Sequence, residues 1–350
     1  YLAALLAWLL ALSPAARHGS FDAWLWCKLR PSGSKRPPQV ARVWLYLFRT
    51  QVGIVYVGAG LAKLQPDWLL HAQPLRIWLA ASAELPVLGR LLAIDGVPLL
   101  LSWLGFLFDL TIVGWLSVAR TRPYAYAVVL AFHALTRLLF PIGMFPAIMA
   151  LSALVFFTPG WPRALGPRFG LFPPGAPPFE LRPSSPPDRF VVKAGLALAG
   201  LYCAVQLLVP LRCLAYGGNV LWHEQGMRFS WRVMVRAKGG STTFVVENRG
   251  EKKIWYVAPA EYLTPLQESE MSSQPDLILQ LARHIKRDMD RRGLGPVVVR
   301  ADSRVSLNGR RGAPFVDPSI DLAALSDSWA PLPWILPAPV GPPPHTRIAR

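Results

Sequence analysis

Five apolar segments of roughly bilayer length, separated by short polar or proline-rich stretches, decide the class of this chain before any motif is considered. They run over about Val40–Leu64, Val97–Ala119, Pro123–Gly143, Met144–Thr158 and Val191–Pro210. A membrane-spanning helix needs about 20 apolar residues to cross the hydrocarbon core. Met144–Thr158 is short and follows its neighbour through Pro141-Ile142-Gly143, so those two segments read either as separate spans or as one kinked or re-entrant unit. A sixth stretch, Tyr1–Ala16, lacks a basic start and is followed by further spans. It reads as a helix cut on its N-terminal side rather than as a signal peptide. With 53% hydrophobic and 16% charged residues, the 350-residue chain carries more apolar surface than one soluble core of that size needs.

The formal net charge of +17 does not point to nucleic acid here, because the basic residues sit mainly in loops beside apolar segments. A simple weave of the spans puts loops 17–39, 120–122 and 159–190 on one side, with eleven Lys and Arg residues from Arg17 to Arg189. The loop over 63–96 holds three, Lys63, Arg76 and Arg90. The basic set is expected on the cytoplasmic face, which places Lys63 and everything after Pro210 on the extracytoplasmic or lumenal face. Three cysteines, Cys27, Cys203 and Cys213, make neither a disulfide framework nor a zinc spacing, and are expected to be small buried hydrophobes without a metal.

After Leu214 the pattern changes from long apolar runs to short ones rich in β-branched and aromatic residues. Phe229–Val235, Thr242–Glu247, Lys253–Ala258, Pro296–Ala301 and Arg304–Leu307 read as strands, punctuated by Gly-Gly, Asn-Arg-Gly and Asn-Gly turn signals. Leu277, Leu281 and Ile285 fall at helical spacing and predict one helix over about 274–291. The proline-rich tail from Ala330 is expected to lie along the surface, and the stretch between Pro159 and Pro187 to be extended. The expected fold class is therefore α+β: a polytopic helical transmembrane bundle over 1–212, followed by a β-rich extramembrane domain over 213–350.

Few residues stand out as chemistry. Lys63 ends the apolar run Ile54–Ala62, where a charged ammonium is expensive; either it snorkels to the interface, or burial keeps its amine neutral and able to act as a base. Gly58 and Gly60 leave room for a second helix or a ligand to approach the backbone just before it. His133 and Arg137 lie one helical turn apart on a predicted span. They either hydrogen-bond neighbouring helices or line a polar cavity suited to an anion, with Asp109 a counter-ion for one of them. In Phe229–Arg236, Trp231, Arg232 and Arg236 alternate as in a strand with a basic edge, and His223 and Glu224 read as isolated surface groups.

The run Val55-Tyr56-Val57-Gly58-Ala59-Gly60-Leu61-Ala62-Lys63-Leu64-Gln65-Pro66-Asp67-Trp68-Leu69 resembles the signature of the vitamin K-dependent gamma-carboxylase family, whose transmembrane part is the HTTM domain. Further stretches occur in the family's order: Phe132-His133 with Leu139–Phe145, Thr158–Arg163, Phe229–Val235, Val305–Asn308 and Phe315–Pro318. Together they span nearly the whole chain. The resemblance implies an integral membrane enzyme that oxygenates vitamin K hydroquinone, or a related menaquinol, to its epoxide. The energy released serves to remove a γ-proton from a protein glutamate, to which carbon dioxide adds.

The resemblance also implies that Lys63 starts the cycle as the base toward the hydroquinone and that His133 assists as the second catalytic residue. Gly60, Arg137, Trp231 and Met234 are the candidate substrate- or quinol-binding residues. The implied partners are the lipid bilayer, the quinol and a glutamate-containing protein or peptide; the co-substrates are oxygen and carbon dioxide, with no metal. Ala62 stands where animal members carry a second lysine, and the resemblance leads us to expect a further family segment, with a histidine, ahead of Tyr1. Two other readings stay open: a quinol oxygenase that carboxylates nothing, and a non-enzymatic HTTM membrane protein in which Lys63 anchors a helix.

Overall fold

The computed structural model describes residues 1–14, 42–82, 84–86, 88–161, 189–326 and 328–344. The expected loop 17–39, most of the loop 159–190, and Cys27 lie outside the described residues. The helices in chain order are α1 (Leu2–Leu12), α2 (Arg42–Ala62), α3 (Pro66–Leu69), α4 (Leu75–Ala80), α5 (Leu88–Leu92), α6 (Val97–Ser117), α7 (Arg122–Leu139), α8 (Phe145–Ser152), α9 (Arg189–Leu211) and α10 (Val220–His223). There follow strands β1 (Lys238–Asn248) and β2 (Lys253–Val257), helices α11 (Pro265–Met271) and α12 (Pro275–Arg291), and strands β3 (Val298–Leu307) and β4 (Ala313–Pro314).

Among the described residues, three helices are long and apolar enough to cross a membrane: Arg42–Ala62, Val97–Ser117 and Val192–Ala215. The protein is a membrane protein of mixed helix and sheet. The break foreseen near Pro141 is present. Phe140 is extended, as a residue before proline tends to be, Gly143 takes φ +60°, and α8 then runs into a 3₁₀ turn over Ala153–Phe156.

The chain divides into two compact units, Tyr1–Leu61 with Leu107–Val209, and Ala62–Phe106 with Pro210–Arg350. In the first, α2 and α6 approach closely because two glycines on α2 leave space. A Cβ at Gly60 would meet the Leu110 backbone nitrogen at 3.0 Å, and one at Gly53 would meet Val113 at 3.4 Å. Arg49 satisfies the end of the 3₁₀ turn, donating to the carbonyls of Val155 and Phe156 at 3.0 Å and of Phe157 at 3.3 Å. The Tyr202 hydroxyl donates to Gln51 Oε1 at 2.5 Å.

The second unit is built on a four-stranded antiparallel sheet in the order β2-β1-β3-β4. Alternation puts Thr242, Phe244 and Val246 of β1 and Val299, Ala301, Ser303, Val305 and Leu307 of β3 on the covered face. The α12 stripe of Ile278, Ala282 and Ile285, each fully buried, closes that face. Apolar burial of this kind contributes about 25 cal/mol per Å² and gives the unit a core of its own.

Four local expectations need correction. Pro296–Ala301 and Arg304–Leu307 are parts of one strand, β3, because the intervening Asp302 and Ser303 pair with Thr243 and Thr242 of β1. Gly239-Gly240 lies inside β1 rather than in a turn: a Cβ at Gly240 would meet the Arg304 carbonyl and Val305 at 2.8 Å, so the glycine serves close packing. The tail from 330 does not merely lie on the surface, since Trp334 is buried in the core and Ile335 bridges to Val316. Finally, Phe229–Val235 is not a strand. Phe229, Trp231 and Met234 take φ of 62°, 56° and 53°, and left-handed residues at this spacing prevent an extended run.

Candidate functional site

Helix α2 ends at Ala62 because the following residues turn sharply and Pro66 opens a new helix. Gln65 is extended before the proline, and its backbone N–H donates to the Lys63 carbonyl at 2.8 Å. This turn buries Lys63 to 6% exposure and sets its Nζ 5.2 Å from the centre of the Trp68 ring. Trp68 is itself held on two sides. Its Nε1–H donates to the Ser102 carbonyl at 2.8 Å, and the Ser102 hydroxyl donates to the Trp68 carbonyl at 2.5 Å.

Between Lys63 and Trp68 the loop is tied twice more. Gln65 Nε2 donates to the Val235 carbonyl at 3.4 Å. Asp67 accepts two parallel bonds from Arg310, each 2.7 Å, and one from Asn308 Nδ2 at 2.8 Å. Burial alone would raise the Asp67 carboxyl, but the bonds from Arg310 and Asn308 and the Arg310 charge hold it below the usual carboxylate value. Asn308 is fully buried at φ 51°; its Oδ1 accepts from the Ala237 N–H at 2.9 Å, so one side chain joins the entry to β1 to the loop after Lys63.

The segment that carries Trp231 and Met234 reaches this loop through the Gln65–Val235 bond. Trp231 is buried to 4% exposure and Met234 is half-buried. Three non-glycine residues with positive φ within six positions cost of order 1–3 kcal/mol each, a pattern that clusters at functional sites.

In the helical unit the Tyr56 hydroxyl lies 2.9 Å from His133 Nε2, both side chains buried. Phe108 stands edge-on to both rings, with centroids 5.8 Å from Tyr56 and 6.2 Å from His133, and stacks on Phe132 at 3.9 Å. Arg137, one turn further along α7, is exposed and is not brought into this aromatic box. Gly60 packs on the backbone of Asp109 and Leu110, so the approaching group is a helix. Tyr56 was missed by the sequence reading, although a phenol inside an apolar run needs a hydrogen-bond partner and is a signal in itself.

His223 and Glu224 are not surface groups. Both are largely buried and line a cavity of about 380 Å³. Glu224 accepts from Arg236 and, at 2.8 Å, from Lys238 Nζ, which also donates to the carbonyls of Trp222 and Ser273. Burial, and after it the charge of Arg236, pulls the Lys238 pKa below the ordinary lysine value. Its three acceptors nonetheless match the three hydrogens of an ammonium. Among the described residues, no group of three His, Cys, Asp or Glu side chains could hold a metal.

Membrane-length helices followed by an antiparallel sheet define a two-part membrane protein, and two stretches of the chain have known counterparts. Residues 1–161 match the family model of the HTTM domain, and residues 192–340 match that of the vitamin K-dependent gamma-carboxylase, lumenal domain. The chain belongs to the vitamin K-dependent gamma-carboxylase family. No solved structure matches the chain.

Proposed function

We propose that the protein is a membrane carboxylase that uses vitamin K hydroquinone, or a related quinol, to drive γ-carboxylation of protein glutamate. The observation that carries this reading is Lys63, buried on the face of Trp68 at the end of a membrane-length helix. An amine held against an aromatic ring, reached from an apolar helix, fits a lipid-soluble aromatic diol that must lose a proton. When bound, the quinol supplies, through its reaction with oxygen, the strong base that glutamate deprotonation requires.

Lys63 Nζ takes the first proton, from a buried position against the Trp68 ring. Trp68 holds the amine in position, and Trp231 and Met234, on the segment bonded to that loop through Val235, are candidate contacts to the quinol ring. In the helical unit, Tyr56 fixes the His133 imidazole through Nε2, which orients the ring as a donor toward developing negative charge on the glutamate carbon or on carbon dioxide. Gly60 supports the reading through helix packing, and exposed Arg137 through attraction of an anionic group. Lys63 and the C-terminal sheet belong to one compact unit, which supports a common lumenal or extracytoplasmic face for both.

The test supplies reduced vitamin K, oxygen, labelled bicarbonate and a glutamate peptide to the detergent-solubilised protein, and compares wild type with Lys63→Ala. Epoxide and fixed label that both disappear with Lys63 support the carboxylase. Epoxide without label assigns a quinol oxygenase. Neither product from folded wild type rejects the enzymatic reading.

A further inference from the structure

We infer that Asp67, Arg310 and Asn308 form a positioning latch for Lys63, so that the turn between β3 and β4 sets where the base stands. The inference rests on the reading of Lys63 as the base and names the residues that hold it there. Asp67 lies four residues after Lys63 and next to Trp68, over whose ring the Lys63 amine sits. The ion pair is partly buried, at 13% and 12% side-chain exposure for Arg310 and Asp67, and bridges 243 positions of sequence.

Its geometry favours placement over plain stability. A desolvated ion pair recovers little more than its own desolvation cost, whereas a bidentate fork fixes direction and distance together. Two further polar groups at the turn are also engaged. Arg310 Nε donates to the Gly341 carbonyl at 2.9 Å, and the Asn308 N–H donates to the Ala237 carbonyl at 2.8 Å. Gly309, at φ 81°, brings the turn against Gln73 and Ile77 of the segment after α3, where a Cβ would meet Ile77 at 3.4 Å. The latch therefore grips a short stretch that has Lys63 at one end, and its loss should loosen that stretch while the bonds of Trp68 to Ser102 keep it on α6. A reacting amine displaced by about 1 Å loses on the order of 10²-fold in rate.

The experiment uses the full chain in detergent, with Asp67→Asn, Arg310→Lys, Asn308→Ala and the reversed pair Asp67→Arg with Arg310→Asp. Two quantities are read. One is kcat and KM for reduced vitamin K; the other is the rate at which Lys63 is modified by an amine-selective reagent, followed by peptide mass spectrometry with exposed Lys252 and Lys253 as internal references. Latch variants should lower kcat roughly a hundredfold with KM within about twofold, and the reversed pair should restore part of it. Lys63 modification should speed up severalfold, with Lys252 and Lys253 unchanged.

A folded variant with wild-type kcat and wild-type Lys63 modification overturns the latch. If the wild type makes no epoxide, the modification rates decide alone: latch-dependent rates keep the latch and remove the base reading, and latch-independent rates remove both. Should the charge-removing variants fail to fold, Arg310→Lys and Asn308→Ala carry the same two readouts.

Discussion

The Tyr56 hydroxyl and His133 Nε2 stand 2.9 Å apart inside an aromatic enclosure, a pairing that ties α2 to α7 across a sequence separation of 77. Tyr56→Phe leaves the imidazole buried without that partner and should destabilise the protein by about 1–2 kcal/mol. Adding His133→Leu should cost less than the sum of the two single changes. Unfolding curves in detergent measure the cycle, and strict additivity would show that the two groups do not interact.

Asp67 makes stability depend on pH in a defined direction. Its folded carboxyl lies below its unfolded value of about 3.9, so the contribution is fully present above that pH and is lost as pH falls through the folded value. Acid titrations of wild type and Asp67→Asn should converge as the pH drops below about 4 and separate above it. Parallel curves across the whole range would contradict the assignment.

Gly240 and Gly239 form a matched pair of substitutions. Alanine at 240 would press on the Arg304 carbonyl and Val305 at 2.8 Å and should cost about 1–3 kcal/mol by overpacking. Alanine at 239 meets nothing within 4 Å and should be nearly neutral. Equal effects, read by thermal unfolding of the full chain, would remove the argument from close approach between β1 and β3.

Lys238→Ala strips one counter-charge from largely buried Glu224 and leaves two carbonyls without their donor. A loss of about 3–5 kcal/mol is expected, and Lys238→Met, which keeps the apolar stem over Phe315, should lose less. Chemical denaturation separates them; a stable alanine variant would mean that Arg236 alone satisfies the carboxylate.

The parts of the fold that were legible in the sequence are those set by local periodicity. The long apolar helices, the break at Pro141-Ile142-Gly143 and the amphipathic helix α12 follow from residues within a few turns of one another. What escaped was governed by distant partners. Phe229–Val235 has strand composition, yet its left-handed residues and its bond to Gln65 override that preference. His223-Glu224 looked isolated because Lys238 and Arg236, which surround the carboxylate, lie more than ten positions away. Among the candidate residues, Lys63 and His133 were each legible as a charged or polar residue in an apolar run. Tyr56, Ser102 and Arg310 were not singled out, because only the folded chain reveals what each one touches.

The unit that holds Lys63 is assembled from two separated stretches, 62–106 and 210–350, so its halves leave the ribosome at different times. Asp67 is synthesised 243 residues before the arginine that clamps it. Until the β3–β4 turn has been made, the loop after α2 has no sheet to dock on, and Lys63 stands without the bonds from Asn308 and Arg310 to Asp67. Docking of the loop after Lys63 thereby waits on the synthesis of a turn far along the chain, so the order of translation sets the order in which this unit is assembled.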